Sequence, residues 1–208
     1  MFRIRETFKD YEELKAFYRG LDNPPPPHEP ITEMSKRGEA EEYRHQWVLA
    51  NLKETNAKSV LEVGAANGNF LWVLMENGYN VGGLEPVPNP YKMASKNVGG
   101  TNIRVFNDFV EEHKADMKYD AVVCLEAIEH AFDVDKFGAA IRGFIKKGGY
   151  FLGSTPAEAG SYGSRNFNDQ HLYSATPESM REFLIKHKFE PEQVTEGDDL
   201  IMWRAKAV

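Results

Sequence analysis

Cysteine is almost missing from this chain: Cys124 is the only one in 208 residues, so no internal disulfide can form. Long apolar runs are missing too. Nothing approaches the ~20 consecutive residues that a membrane-spanning helix needs, and the opening MFRIRETFKDYEELK has neither the apolar core nor the small-residue cleavage site of a signal peptide. The expected setting is therefore reducing and cytoplasmic, with no membrane. An excess of positive charge is likewise absent. Lys and Arg number 25 against 32 Asp and Glu, a formal net charge of −7; this disfavours extended nucleic-acid binding but leaves room for a small basic patch. The dinucleotide fingerprint G-x-G-x-x-G is not met, because counting from Gly64 puts Ala66 and Asn69 where the second and third glycines belong.

What is present is the ordinary mixture of a folded domain, 41% hydrophobic and 27% charged, at a length that suits one core better than two. Residues 1–57 read as a helical arm or lid. One helical pattern surrounds Tyr11 to Tyr18, and a second runs from about Lys36 to Glu54, with Tyr43, Trp47, Leu49 and Leu52 on one face. The proline run DNPPPPHEP separates them as a stiff connector. Residues 58–208 alternate between apolar strand-like runs (SVLEVG, YNVGGLE, IRVFN, YDAVVCLEA, YFLGSTP) and helical patterns. Such alternation predicts an α/β fold: a Rossmann-like, doubly wound, mostly parallel sheet of seven strands with helices on both faces. A helix is expected over TPESMREFLIKHKF, with Thr176 as N-cap and Pro177 at its first position. Two strands around the turn at Glu196, Gly197 and Asp198 follow it.

In such a sheet ligands bind beyond the carboxyl ends of the strands, where the strand order reverses. The first core strand ends at Gly64, in LEVGAANG. Gly64 and Gly68 admit close approach of a ligand to main chain. Glu85 ends the next strand and can accept hydrogen bonds from both hydroxyls of a ribose, and Glu62 suits a cationic amino group.

These motifs resemble those of the class I S-adenosylmethionine-dependent methyltransferases, whose first motif has the form hydrophobic-D/E-hydrophobic-G-x-G-x-G. LEVGAANG matches it except that Ala66 replaces the middle glycine. VGGLEP, FNDF, YDAVVCLEAIEHAFD, KKGGYFLGSTP and QHLYSATPESMREFLIKHKF follow in the family's order, from about Lys58 to Phe189. The resemblance implies S-adenosylmethionine as cofactor, with Glu62 near its methionine part and Gly64, Ala66 and Gly68 along its length. It puts Glu85 on the ribose, Asp108 and the Phe109 backbone at the adenine, and Leu125 also in the binding site. It implies a methyltransferase acting on a small-molecule acceptor, most readily at a hydroxyl oxygen.

Methyl transfer from a sulfonium is an in-line displacement, so the protein must align the acceptor and help remove a hydroxyl proton. If LEAIEH begins a helix, Glu126, Glu129 and His130 share one face. With His171 they could hold a divalent cation, Mg or Mn, or His130 or His171 could serve as a general base. E-x-x-E-H is similar to a pattern in ubiquinone-biosynthesis O-methyltransferases and in small-RNA 3′-end 2′-O-methyltransferases, the latter adding a later histidine and a metal. An RNA-terminal 2′-O-methyltransferase and a non-catalytic cofactor-binding module are thus the alternatives. Cys124 lacks the preceding proline of a cytosine C5-methyltransferase nucleophile and reads as a buried thiol. No D/N-P-P-Y/F sequence is present to hold a flipped adenine. The Gly-rich segment after YFLGSTP reads as a substrate loop, in which Arg165 could hold an anionic acceptor. His28, His113 and His187 read as solvated.

Overall fold

The computed structural model describes residues 1–3, 7–21, 38–114, 117–157, 170–197 and 200–208. The proline run, His28, Arg165 with its loop, and Asp198 lie outside them.

Seven strands form one sheet in the order β4-β3-β2-β5-β6-β9-β8. Here β2 is Ser59–Val63, β3 Asn80–Leu84, β4 Arg104–Phe106, β5 Tyr119–Leu125, β6 Ile145–Pro156, β8 Phe189–Gly197 and β9 Leu200–Ala207. The first five neighbours in that order pair in parallel, while β9 runs antiparallel to both β6 and β8. The chain builds outward from β2 to β4, then returns to place β5 on the other side of β2. The strand order reverses between β2 and β5, and a crevice opens at their carboxyl ends.

Side chains alternate between two buried layers, as the period of a strand requires. Leu61, Val63, Val122, Cys124 and Phe151 pack on one face with Ile141 and Phe144 of helix α5 (Val134–Phe144). Val60, Val81, Ala121, Val123 and Leu152 pack on the other with Leu71 and Leu74 of α3 (Asn69–Glu76) and Val48 and Leu52 of α2 (Gly38–Lys53). Helix α4 (Pro88–Asn97) follows β3. Cys124 is buried as expected. The apolar face of α2 is corrected: Val48 and Leu52 are fully buried, whereas Tyr43 is 57% exposed. Helix α6 (Pro177–Lys186) begins as predicted, the Thr176 hydroxyl accepting from the Ser179 amide in a capping box.

At the N-terminus, β1 (Phe2–Arg3) pairs antiparallel with β7 (Tyr173–Ser174), a small sheet that sequence pattern did not signal. Helix α1 (Tyr11–Arg19) is capped by Asp10, whose carboxylate accepts from the Glu13 amide at 2.9 Å. It buries Leu14 and Tyr18 against Phe109, Leu172 and Tyr173. The Lys15 ammonium reaches Glu112 at 2.5 Å, adding a charged contact to the apolar one. Helix α1 therefore lies at the carboxyl edge of the sheet.

Candidate active site

A cavity of about 290 Å³ sits at this edge. Gly64, Glu85, Asp108 and Glu126 border it from the core, and Leu14 and Tyr18 from α1.

Three backbone features shape its floor. Gly64 has φ +80° and a Cβ there would lie 2.7 Å from the Cβ of Ala127, so only glycine fits. Its N–H and that of Ala65 both donate to the Leu84 carbonyl at 2.9 Å, tying the β2 turn to the end of β3. Ala66, the departure from the expected glycine, adopts φ +46°, the left-handed conformation a glycine would take freely. Its N–H donates to the Glu85 carboxylate at 2.8 Å, and the Val87 N–H donates to the other oxygen, also at 2.8 Å. Glu85 is buried, and loss of water around it lifts its pKa to about 7 against those two donors.

Asp108 and Phe109, which the resemblance puts at the adenine, border the cavity. Gly68, Glu62 and Leu125 do not. A Cβ on Gly68 would stand 3.1 Å from the Ala94 backbone, so its missing side chain admits the close contact between α3 and α4. Glu62 is buried inside β2, between partners in β3 and β5. Leu125, the last residue of β5, packs on the layer that holds Val123 and Leu152.

The E-x-x-E-H segment differs from the helical face its spacing suggested. Glu126 takes φ +50° as β5 ends, and only Ile128–His130 turn, as a short 3₁₀ helix. The two carboxylates thereby take different partners. Glu126 accepts from the Ser154 hydroxyl at 2.7 Å and borders the cavity. Glu129 is fully buried, with Thr155 donating to one oxygen at 3.2 Å, while the other has no hydrogen-bond partner among the described residues and lies 4.0 Å from His130 Nε2. Burial and the nearby Glu126 push the Glu129 pKa well up, and burial raises that of Glu126.

His130 borders the cavity; its Nδ1 is 3.0 Å from the Tyr18 hydroxyl and 3.1 Å from the Gln170 carbonyl. A carbonyl only accepts, so Nδ1 carries the proton and Nε2 keeps its lone pair. Burial, and then His171, lower the His130 pKa to about 4, leaving it neutral at physiological pH. The His171 ring meets it edge to face at 4.8 Å. One ligand atom each from Glu129, His130 and His171 lies within 4.8 Å of the others, somewhat wider than the ~4.2 Å that two ligands across a Mg²⁺ at 2.0–2.1 Å would span, so the three side chains would have to draw together to share one ion. Glu126 is not in that group, because its carboxylate is turned to Ser154. The Glu129 oxygen that accepts no hydrogen bond and the facing lone pair on His130 Nε2 suit a cation. The Nδ1 bond to a carbonyl is the outer support that metal-binding histidines usually have.

Sequence reasoning missed two residues here. Tyr18 carries only the signal of helical spacing from Leu14. His113, read as solvated, has a side chain only 8% exposed and a 2.8 Å contact to Asp108. His187 is likewise covered, its side chain 9% exposed against Asp135.

Residues 35–194 match the family described as Methyltransferase domain. The chain belongs to this family and is of the class I S-adenosylmethionine-dependent type. Curated relatives include the ubiquinone biosynthesis O-methyltransferases of Rickettsia felis, 28% identical over 55% of this chain, and Erwinia tasmaniensis, 32% identical over 54%. The chain spans about half the length of these relatives, 48% in both cases. A methyltransferase structure from Clostridium acetobutylicum superposes with TM-score 0.70 at 12% identity, covering 80% of this chain and 91% of the other. An amino pentose methyltransferase from Micromonospora echinaspora gives 0.66 at 15%, covering 88% and 98%. At these identities the two structures speak for the fold alone.

Proposed function

We propose that the protein transfers the methyl group of S-adenosylmethionine to a hydroxyl of a small-molecule acceptor. The observation that carries this is one cavity bordered by a buried carboxylate at the end of β3, Glu85, and by a neutral imidazole, His130. The names of the ubiquinone biosynthesis relatives favour oxygen as the atom methylated.

Gly64, Ala66 and Glu85 would hold the cofactor along the β2 and β3 ends, with Asp108 and Phe109 at its adenine. The cofactor supplies an electrophilic methyl. The protein's own share is alignment and proton removal. His130, protonated on Nδ1, presents Nε2 to take a hydroxyl proton, and Tyr18 and the Gln170 carbonyl fix the ring's orientation. Helix α1 acts as a lid, since Leu14 and Tyr18 close the cavity that the core leaves open and keep water from the reacting atoms. The test is a thermal shift with S-adenosylhomocysteine, expected to be positive where NAD gives none. A screen of radiolabelled methyl transfer onto phenols, catechols and sugars follows, and a protein that ignores S-adenosylhomocysteine sinks the proposal.

The grouping of Glu129, His130 and His171 favours a second reading, in which Mg or Mn binds these residues and an acceptor hydroxyl loses its proton beside the cation. Within that reading an RNA 3′ end is a possible acceptor class. Transfer of label to short RNA only when Mn²⁺ is added would support it.

A further inference from the structure

His113 has no part in the functional reading above, yet its side chain is only 8% exposed and touches Asp108, which borders the cavity. It lies in a charged stretch, EEHKAD. Its ring nevertheless sits 4.6 Å from Phe106, the last residue of β4, and 5.7 Å from Phe144, the last residue of α5, tilted at 45° and 44°. From that slot Nδ1 reaches Asp108 Oδ2 at 2.8 Å. An ionised carboxylate has no proton to give, so Nδ1 is the donor. A ring wedged between two phenyl groups loses rotational freedom, so its N–H direction is fixed. The rotation of the Asp108 carboxylate is fixed with it, and Oδ1 is the oxygen left for a ligand.

We propose that His113 is a positioning residue that gives the site its choice of purine. It holds Asp108 as a pure acceptor at the cavity edge, where a 6-amino purine can donate to it and a 6-oxo purine meets two facing acceptors. This rests on the reading of the cavity as an S-adenosylmethionine site. Without the Nδ1 donor the half-exposed Asp108 side chain turns to solvent, and the repulsion of a 6-oxo group goes with it.

The experiment is calorimetric titration of the full chain with S-adenosylhomocysteine and with its deaminated counterpart, S-inosylhomocysteine. Wild type is expected to prefer the adenosyl form by about tenfold or more, the size of one charge-assisted hydrogen bond. His113→Phe keeps the aromatic packing but has no donor, and its preference should fall below about threefold. His113→Gln carries its amide nitrogen too far from Asp108 and should behave alike if the phenylalanine variant does not fold. His113→Asn puts a donor close to the place of Nδ1 and should keep most of the preference, which a merely structural role would not predict. If the phenylalanine and glutamine variants discriminate as wild type does, His113 does not set the choice and the inference falls alone. If wild type binds neither ligand, the cofactor reading fails and takes the inference with it.

Discussion

The phenol oxygen of Tyr18 stands 3.0 Å from Nδ1 of His130, so the N-terminal helix and the turn after β5 share one hydrogen-bonded centre at the cavity wall. The bond joins residues 112 positions apart and adds to the packing of Leu14 and Tyr18 in holding α1 in place. Tyr18 is buried beside Glu129 and Glu85, and burial first, then those two carboxylates, push its pKa up, so it stays a neutral phenol.

Tyr18→Phe keeps the ring and removes the oxygen. His130 Nδ1 retains the Gln170 carbonyl, so the expected loss is that of one shared hydrogen bond, about 0.5–1.5 kcal/mol. It should appear as a lower urea midpoint with an unchanged slope. Affinity for S-adenosylhomocysteine should change by less than about twofold, while methyl transfer falls because the imidazole is less well aimed. Equal losses in affinity and activity would instead place Tyr18 on the cofactor.

The comparison of sequence with structure divides along a physical line. Strand and helix periodicity, a Pro-flanked N-cap and the acid closing β3 are local signals. They led to the sheet, to the start of α6 and to the position of Glu85. Glu126 shows where locality stops: its spacing to His130 is helical, but the end of β5 sets its φ at +50° and turns it to Ser154, a residue of another strand. Gly68 shows the same limit, since the approach of Ala94 that its missing side chain admits comes from a helix whose packing no local pattern describes. Tyr18 and His113 were invisible as site residues because their partners are made by tertiary contact alone.

Glu85 should make cofactor affinity depend on pH. Its folded pKa of about 7 lies above the ordinary carboxylate value. Its contribution to stability is therefore full below about pH 4.5 and lost as pH rises through 7. Ribose hydroxyls donate to the ionised form, so affinity for S-adenosylhomocysteine runs the other way and should rise about tenfold between pH 6 and pH 8. Glu85→Gln should flatten that dependence and weaken binding by ~1.5–3 kcal/mol for each charged hydrogen bond lost. Titration calorimetry at both pH values reads both effects, and an equal slope in wild type and variant would refute the assignment.

Ala66 offers a test of the turn itself. It is exposed and borders the cavity, so Ala66→Leu should leave core packing intact and fill ligand space. A left-handed leucine costs roughly 1–2 kcal/mol relative to glycine, a penalty Ala66 already carries in part. The melting temperature without ligand should therefore shift little, and the shift on adding S-adenosylhomocysteine should vanish. A variant that keeps the full ligand shift would mean that the cofactor does not pass over this turn.

The last prediction separates a cation from a lone imidazole. Glu129, His130 and His171 bring one oxygen and two nitrogens within 4.8 Å of one another, and Nδ1 of His130 is already engaged by Gln170. A cation would therefore take His130 through Nε2. Mn²⁺ binding, followed by electron paramagnetic resonance on the full chain, should be lost in Glu129→Gln and His171→Ala. It should persist in Glu126→Ala, because that carboxylate faces Ser154. Chelator treatment should then stop methyl transfer and leave S-adenosylhomocysteine affinity within about twofold, since the cation touches the acceptor side only. If wild type binds no Mn²⁺ and works in excess chelator, His130 acts as base alone. Turnover at saturating cofactor, where the pH dependence of Glu85 no longer counts, should in that case hold from neutrality down toward pH 5, because burial keeps this imidazole unprotonated until about pH 4.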